Sequence, residues 1–270
     1  MGVLVFIMAV MPLSDSSSMH LMRAESPGPS VGKLVPKVKT TAMILYGIYV
    51  VFTVIEIIAL LIAGMPLFDS MTLTFGTVGT GGFGLLNSSI ASYSTAVQII
   101  ITVFMIICSI NFTVYYMFLI KRPKEALMCE EMRYYLLIVF GSALLIAFNI
   151  RASFASFGKA FQQAIFQVAS VISTTGFATA DYLYWPTLLG LILFLLMFIG
   201  SCAGSTAGGI KVIRVVLLFK NSFTEMKRII HPNAVINVKY NTKSVHPTIM
   251  TGVMGFFISV SYTHLTLPTT

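Results

Sequence analysis

The feature that most constrains this chain is a series of apolar segments long enough to cross a lipid bilayer. A helix needs about 20 apolar residues to span roughly 30 Å of hydrocarbon. Ala42–Gly64 reaches that length with Glu56 as its single charge, and Ala96–Ile120 reaches it with none. Only 10% of the residues are charged and 57% are hydrophobic, whereas soluble proteins carry about 25% charged residues. We therefore predict an all-α integral membrane protein.

The basic residues predict how the chain is oriented. Lysine and arginine concentrate in three connections, residues 23–41, 121–133 and 221–246, and are nearly absent from residues 65–95 and 151–186. Cytoplasmic loops are the ones enriched in these residues, so we place the three basic connections inside and the other two outside. This asymmetry accounts for the net charge of +8 without nucleic acid. The expected surroundings are the lipid bilayer.

The two outer connections have the pattern of re-entrant loops. One opens with Pro66 at a position typical of a first helical residue, and the other with Ser156 at a helix N-cap position. Each continues with about 12–15 apolar or small residues, enough for a half-helix but too few for a span. Each ends in a cluster of glycine and threonine, Thr77–Gly84 and Ser173–Thr179. We predict that both segments enter from outside and turn back.

The two clusters belong to an internal repeat. A shift of 94 positions superimposes the re-entrant loops, the flanking spans and two cysteines. The matched positions are Thr80, Gly82, Phe83 and Cys108 with Thr174, Gly176, Phe177 and Cys202. Both units have the same orientation, because an even number of crossings separates them. Parallel span–re-entrant loop–span repeats around an axis along the membrane normal, in contrast to inverted repeats, predict a central pore like that of a potassium channel.

The glycine and threonine clusters are candidates for a potassium filter. Such a filter points backbone carbonyls at a narrow axis, where they replace the water around the ion. Small residues permit that backbone, and a half-helix ending there directs the negative end of its dipole at the cation. The alternative is a glycine-rich turn between packed helices. The candidate filter residues, with potassium as the only expected metal, are Thr80, Gly81, Gly82, Phe83, Thr174, Thr175, Gly176 and Phe177.

The apolar segment Thr187–Lys220 is too long for one span. As a continuous helix it would measure about 51 Å at 1.5 Å per residue. A run of glycine, serine and threonine favours a break, and irregular backbone at membrane depth must line a cavity. We place this run on the ion path: Gly204, Ser205, Thr206, Ala207, Gly208 and Gly209. Lys211 and Arg214 follow it, either as side chains reaching the membrane interface or as charges beside a gate.

At these residues the sequence resembles the Trk/Ktr superfamily of potassium-uptake proteins, and within it the membrane subunits of the TrkH/TrkG type. The resemblance also rests on Arg23–Pro29, Gly204–Arg214 and His231–Val235. It implies a pore of four span–loop–span units with one filter stretch each, and an intramembrane gating loop in the third unit. It further implies a bacterial cytoplasmic (inner) membrane protein that forms a homodimer when full length. The implied partner is a cytoplasmic, nucleotide-binding regulatory subunit of the TrkA type.

Measured against that template, the chain is expected to be truncated at both ends. It should hold the end of unit one, units two and three, and the start of unit four, so it should not conduct alone. The expected divisions are 1–22 (end of unit one), 23–41 (cytoplasmic), 42–120 (unit two: span 42–64, pore loop 65–95, span 96–120), 121–133 (cytoplasmic), 134–220 (unit three: span 134–150, pore loop 151–186, broken span 187–220), 221–246 (cytoplasmic) and 247–260 (start of unit four). Residues 261–270 resemble translated sequencing adapter and are expected to be non-native.

The function expected from these features is potassium uptake through a backbone-carbonyl filter, with no cofactor. The alternative within transport is a carrier with broken helices, coupled to sodium or protons. An enzyme is not expected, because the spans offer Glu56 but no paired catalytic group; a purely structural subunit remains open for the truncated product. Glu56 itself is either part of an ion route or a neutral carboxyl bonded between helices. Asn111, within a span, is a candidate for a hydrogen bond to a neighbouring helix.

Overall fold

The computed structural model describes residues 38–231, 236–241 and 243–266. The expected end of unit one, nearly all of the first basic connection and the Arg23–Pro29 motif lie outside the described residues, as do most of the His231–Val235 motif and the last four residues. The described part consists of helices joined by loops, and its one sheet is a two-stranded antiparallel hairpin in which β1, Lys239–Tyr240, pairs with β2, Lys243–Ser244.

The second unit contains a long helix, a short one and a bent pair. Its helices are α1 (Val38–Ile62), α2 (Leu67–Val78), α3 (Thr95–Cys108) and α4 (Phe112–Leu119). In α1, Met43–Ile62 is apolar enough to cross a membrane. Pro66 occupies the N-cap of α2, one position before the place expected for it. The short helix α2 is a half-helix by length, as the sequence predicts.

The expected span 96–120 is divided in the structure. The helix stops at Cys108 and resumes at Phe112, and the two parts are bent by 87°. Asn111 caps the second part, because its Oδ1 accepts a hydrogen bond from the Thr113 N–H at 2.9 Å. Asparagine is among the strongest N-cap residues, so it starts a new helix inside an apolar run.

The third unit repeats this arrangement. Its helices are α6 (Glu130–Ile150), α7 (Phe157–Ile172), α8 (Thr187–Ile199) and α9 (Val212–Ile230). Ser156 caps α7 as predicted, its Oγ accepting from the Gly158 N–H at 3.3 Å. Between α8 and α9, residues 200–211 are not helical. The short helix α5 (Pro123–Leu127) joins the two units, and α10 (Pro247–Thr266) follows the hairpin, so the helix includes six residues of the expected non-native tail.

The described residues form three buried apolar clusters, one of them between α9 and α10, and the other two hold the units together. One lies among α6, α7 and α8 and includes the fully buried Tyr135 and Ile146. The other lies between α2, α3 and α7, where Leu73, Phe166 and Phe177 meet. The half-helix of each unit therefore packs into the interior, while α1 exposes large apolar side chains on its outer face, as a lipid-facing helix does. The exposed side chains of α1 include Val50, Val51, Val54, Ile55 and Ile58.

Candidate functional site

The two glycine and threonine clusters have the same backbone conformation. Thr80 and Thr174 have φ of 53° and 58°, and Gly82 and Gly176 have φ of 68° and 89°. A positive φ is uncommon for threonine and costs roughly 1–2 kcal/mol. Strain of this kind persists only where the surrounding structure imposes it, and it is concentrated at functional sites. Its recurrence at the same repeat position indicates a shared structural requirement in both loops.

Hydrogen bonds set the direction of the carbonyls in the first loop. The N–H groups of Gly81 and Gly82 both donate to the carbonyl oxygen of Gly76 in α2, at 2.8 and 3.2 Å. In a planar trans peptide the N–H and the C=O point in opposite directions. The carbonyls that precede these N–H groups, those of Thr80 and Gly81, therefore point away from the half-helix. Two successive carbonyls thus face the same side, which a regular strand does not permit.

The second loop repeats this pattern bond for bond. The N–H groups of Thr175 and Gly176 donate to the carbonyl oxygen of Ser170 in α7, at 3.0 and 3.3 Å. The carbonyls of Thr174 and Thr175 consequently point away from that half-helix. A second bond fixes the end of the loop, where the Ser170 hydroxyl donates to the Phe177 carbonyl at 2.5 Å. Each loop therefore presents a short row of carbonyl oxygens on the face opposite its half-helix.

The two loops lie in direct contact with each other. A Cβ atom placed on Gly82 would stand 1.7 Å from the carbonyl oxygen of Thr175. Such a distance leaves no space for any side chain, so the close approach requires glycine. Both half-helices end at these loops, α2 at Val78 and α7 at Ile172, and their C-terminal ends carry partial negative charge. The combined arrangement is suited to a dehydrated cation.

The phenylalanines at the ends of the two clusters differ in their surroundings. Phe177 is 1% exposed and lies against α2, where a Cβ on Gly76 would be 3.0 Å from its ring. Phe83, at the equivalent position of the first loop, is 80% exposed. The second loop is thus packed against the half-helix of the preceding unit, and the described residues provide no such helix for the first loop.

The segment of residues 200–211, here called the intramembrane loop, folds back on itself. Gly200, Gly204 and Gly209 have φ of 68°, 74° and 82°. A Cβ on Gly209 would lie 2.6 Å from the Gly200 Cα, so the two ends of the loop touch through their backbones. Glycine is required at both positions by this contact and by the left-handed conformation.

The intramembrane loop contacts both filter loops at their threonines. The Thr80 hydroxyl donates to the Thr206 carbonyl at 3.2 Å, and the Gly208 N–H donates to the Thr174 hydroxyl at 2.7 Å. The Ser201 hydroxyl adds a bond to the last carbonyl of α7, that of Ile172, at 2.9 Å. The sequence-predicted loop residues therefore lie against the start of both filter loops, where the half-helices end.

Lys211 and Arg214 both bond to the intramembrane loop. The Lys211 ammonium donates to the Ala207 carbonyl, and the Arg214 guanidinium donates to the Ile210 carbonyl at 2.9 Å. Arg214 is 4% exposed and stacks on the Phe256 ring of α10 at 4.0 Å. Its surroundings are protein rather than the membrane interface.

Two residues beside the intramembrane loop carry structural roles that the sequence reasoning did not assign. Glu131 in α6 is 1% exposed, and its Oε1 accepts a hydrogen bond from the Ala203 N–H at 2.6 Å. Asn111 contacts the loop at Gly204, where an added Cβ would be 2.9 Å from the Asn111 Oδ1.

Glu56 lies fully buried in α1 against Thr77 of the half-helix.

Comparison with known proteins places these features in a family. The chain matches the family model of TrkH, described as a cation transport protein, over residues 1–265. It is 37% identical over 265 residues to the Trk system potassium uptake protein TrkH of Salmonella typhimurium, and 33% identical over 261 residues to TrkG of Escherichia coli K12. Each alignment covers 95% of this chain and 54% of the relative.

A solved structure shows the same likeness. The crystal structure of the potassium transporter TrkH from Vibrio parahaemolyticus matches 98% of this chain and 55% of that protein, with a TM-score of 0.82 and 32% sequence identity. The predicted all-α membrane fold and the resemblance to the TrkH/TrkG type are thereby confirmed. The chain spans about half the length of the relatives it matches.

Proposed function

This chain belongs to the TrkH family of cation transport proteins, and from that premise we propose that it forms part of a potassium-selective pore. The matched relatives are named potassium uptake proteins. Like them, this chain is a multi-pass protein of the bacterial cytoplasmic membrane. The activity proposed is potassium uptake by a protein that contains this chain as two of its repeat units.

The observation that carries the proposal is the matched pair of carbonyl rows. Thr80 and Gly81 in one loop, and Thr174 and Thr175 in the other, direct their carbonyls away from their half-helices by the same hydrogen bonds. Carbonyl rings of this kind replace the hydration shell of potassium in known filters. A turn that merely connects packed helices has no need of two identical strained backbones in contact, so the geometry favours a filter over the alternative of a simple turn.

We further propose that the intramembrane loop is the gate of this pore. Its backbone bonds to Thr80 and Thr174 support this assignment, because residues 206–208 lie against the start of both filter loops. An ion leaving a filter on that side would meet these residues. Lys211 and Arg214 hold the same loop through Ala207 and Ile210, so we assign them to the gate.

The partners of the complete protein follow from the same family. We propose a homodimer of the full-length protein and a cytoplasmic, nucleotide-binding regulatory subunit of the TrkA type. The regulatory subunit would reach the gate from the cytoplasm through helix α9, which begins at Val212 directly after the intramembrane loop and leads into the basic connection 221–246. Potassium is the cargo rather than a bound cofactor.

The test of the filter is a glycine substitution with a matched control. Gly176 has φ of 89° and lies in the second filter loop, whereas Gly158 is the second residue of α7, with an ordinary backbone and only an ordinary contact, the Ser156 Oγ at 3.8 Å, beside an added Cβ. A left-handed residue with a Cβ is disfavoured by roughly 1–2 kcal/mol, so Gly176→Ser should move the carbonyls. We expect Gly176→Ser, at the equivalent position of a full-length relative, to lower the preference for potassium over sodium about tenfold.

Gly158→Ser should leave that preference unchanged. Equal selectivity of the two variants, both normally inserted, would show that the second cluster is only a turn. The alternative of a coupled carrier predicts instead that potassium flux in the unmodified relative depends on a sodium or proton gradient. Tracer flux into proteoliposomes with the gradients imposed separately distinguishes the two.

A further inference from the structure

One carboxylate is bonded to the first part of the intramembrane loop. The Glu131 side chain accepts from the Ala203 N–H, near the start of the loop, at 2.6 Å. Ile213, just after the loop ends, and the Asn111 side chain lie beside the same carboxyl group. Glu131 lies in the first turn of α6 and is 1% exposed. A single buried group of α6 thus bonds to the loop at the place where α9 and the break between α3 and α4 come together.

The contacts divide the intramembrane loop into two parts. Its first part is bonded to the break in the neighbouring unit: the Cys202 N–H donates to the Ser109 carbonyl at 3.2 Å, and the Phe112 N–H donates to the Gly204 carbonyl at 3.1 Å. These backbone bonds flank the Ala203 N–H that Glu131 accepts. The first part is therefore fixed to two helices that are themselves packed in the core.

The second part, residues 206–209, is the one that meets the filter loops. It is bounded by glycines with left-handed backbone, Gly204 before it and Gly209 at its end. Its bonds to the filter run through the hydroxyls of Thr80 and Thr174, which can rotate to other partners. Because glycines bound the second part and its contacts with the filter loops are hydroxyl bonds, its position against these loops depends on the first part staying fixed.

The chemistry at Glu131 suits a holding role. A buried carboxyl group is tolerated only when polar partners surround it, and here the Ala203 N–H donates to it while Asn111 and Ile213 lie beside it. Lys211 lies close enough to contribute favourable charge. The bond to Ala203 is short, and removing the acceptor would leave the half-buried Ala203 N–H without this partner.

We propose that Glu131 is the positioning residue that holds the intramembrane loop against the filter loops. The inference rests on the proposed gate, and it adds the residue on which the closed position depends. Without the carboxylate, the first part of the loop loses its link to α6, and residues 206–209 keep fewer contacts that hold them in the ion path, among them the bonds of Thr206 to Cys108 and of Lys211 to Ala207. The closed state should then be less populated even when no regulatory subunit acts on it.

The neighbouring Glu130 supplies a matched control. It lies one residue earlier on the same helix and pairs with Lys220 of α9 at 2.5 Å, so it also joins α6 to α9. Among the residues that the structure describes, its carboxylate bonds to α9 and not to the loop. A variant of Glu130 therefore tests the loss of a carboxylate and of a link between α6 and α9. A variant of Glu131 tests the loss of a carboxylate that bonds to the intramembrane loop.

The experiment measures tracer potassium flux of a full-length relative carrying each change, in proteoliposomes with and without the cytoplasmic subunit. Glu131→Ala should raise the flux without the subunit about tenfold, corresponding to about 1.4 kcal/mol. Glu131→Gln keeps an acceptor oxygen and should give a smaller rise. Glu130→Ala should behave as the unmodified protein. A cysteine placed at Thr206 should react faster with a cytoplasmic thiol reagent in the Glu131→Ala background only.

The outcomes separate this inference from the gate on which it rests. The first outcome combines two results: Glu131→Ala and Glu130→Ala have equal flux and equal thiol reactivity, and a shortened intramembrane loop still raises the flux. This combination would overturn the role of Glu131. If the shortened loop also leaves flux unchanged, the gate itself is wrong. Should Glu131→Ala fail to insert, Glu131→Gln decides: flux and reactivity identical to the unmodified protein would overturn the proposal.

Discussion

Substitution of Gly209 by alanine tests the geometry of the intramembrane loop most sharply. Gly209 has φ of 82°, and a Cβ there would stand 2.6 Å from the Gly200 Cα and 3.1 Å from the Gly200 nitrogen. The left-handed backbone alone disfavours alanine by roughly 1–2 kcal/mol. The overlap is with backbone atoms, which cannot rotate away, so the ends of the loop must separate.

The combined penalty on the observed loop is at least about 2 kcal/mol, or roughly 30-fold in an equilibrium between this loop position and another. We expect Gly209→Ala in a full-length relative to raise potassium flux measured without the cytoplasmic subunit. The control is Gly190→Ala in α8, where nothing lies within 4 Å of the added Cβ. In a helix this change favours the folded state by up to about 1 kcal/mol, so flux should not change.

The assay is tracer rubidium or potassium uptake into proteoliposomes, with insertion of both variants checked by size-exclusion chromatography in detergent. The reasoning would be refuted if Gly209→Ala inserted normally and matched Gly190→Ala in flux and in its response to the cytoplasmic subunit. That result would mean that the contact between the two ends of the loop does not hold the ion path closed.

Three further predictions concern the gate, the topology and the helix break. Shortening Gly204–Gly209 in a full-length relative should raise potassium flux and weaken control by the cytoplasmic subunit; normal expression with flux and control both unchanged would exclude the gate. A single cysteine at Lys124, in a cysteine-free background, should resist an impermeant label added outside sealed cells, and labelling there would refute the orientation. Asn111→Ala removes an N-cap and a partner of Glu131 and should destabilise the protein by about 1–2 kcal/mol. Asn149→Ala, which removes one exposed side-chain bond, should change thermal stability far less, and equal melting shifts would contradict the capping role.

The sequence alone predicted the features that depend on small residues and on the internal repeat. Two clusters 94 positions apart predicted equivalent loops, and Thr80 and Thr174 do have matching backbone. Glycines in a segment too long for one span predicted non-helical backbone, and residues 200–211 are not helical. Such features are local, because a short stretch of chain contains all the residues that determine them.

The break between α3 and α4 could not be read from hydropathy. Ser109 and Asn111 lie in an apolar run whose average conceals them, and the run is long enough for one span. The signal present was Asn111 itself, a strong N-cap residue, which we had assigned to a bond between helices. Asn111 caps α4, and its side chain also lies beside Glu131 of the neighbouring helix α6.

Glu131 was missed for a different reason. It lies within the basic connection 121–133 and stands beside Glu130, so its sequence context is that of a solvated helix start. Its hydrogen-bond partner Ala203 is 72 positions away. Long-range contacts of this kind depend on how whole units pack, and a single sequence contains no local pattern that predicts them.

The central claim is that the two loops of this chain build half of a potassium filter. The most direct measurement replaces the matched part of the Salmonella typhimurium TrkH with residues 1–260 of this chain and determines the permeability ratio of potassium to sodium in proteoliposomes. The account predicts a chimera that passes potassium in clear preference to sodium, and that loses this preference when Gly176 is replaced by serine. A chimera that inserts normally and passes both ions equally, or passes neither, would contradict it.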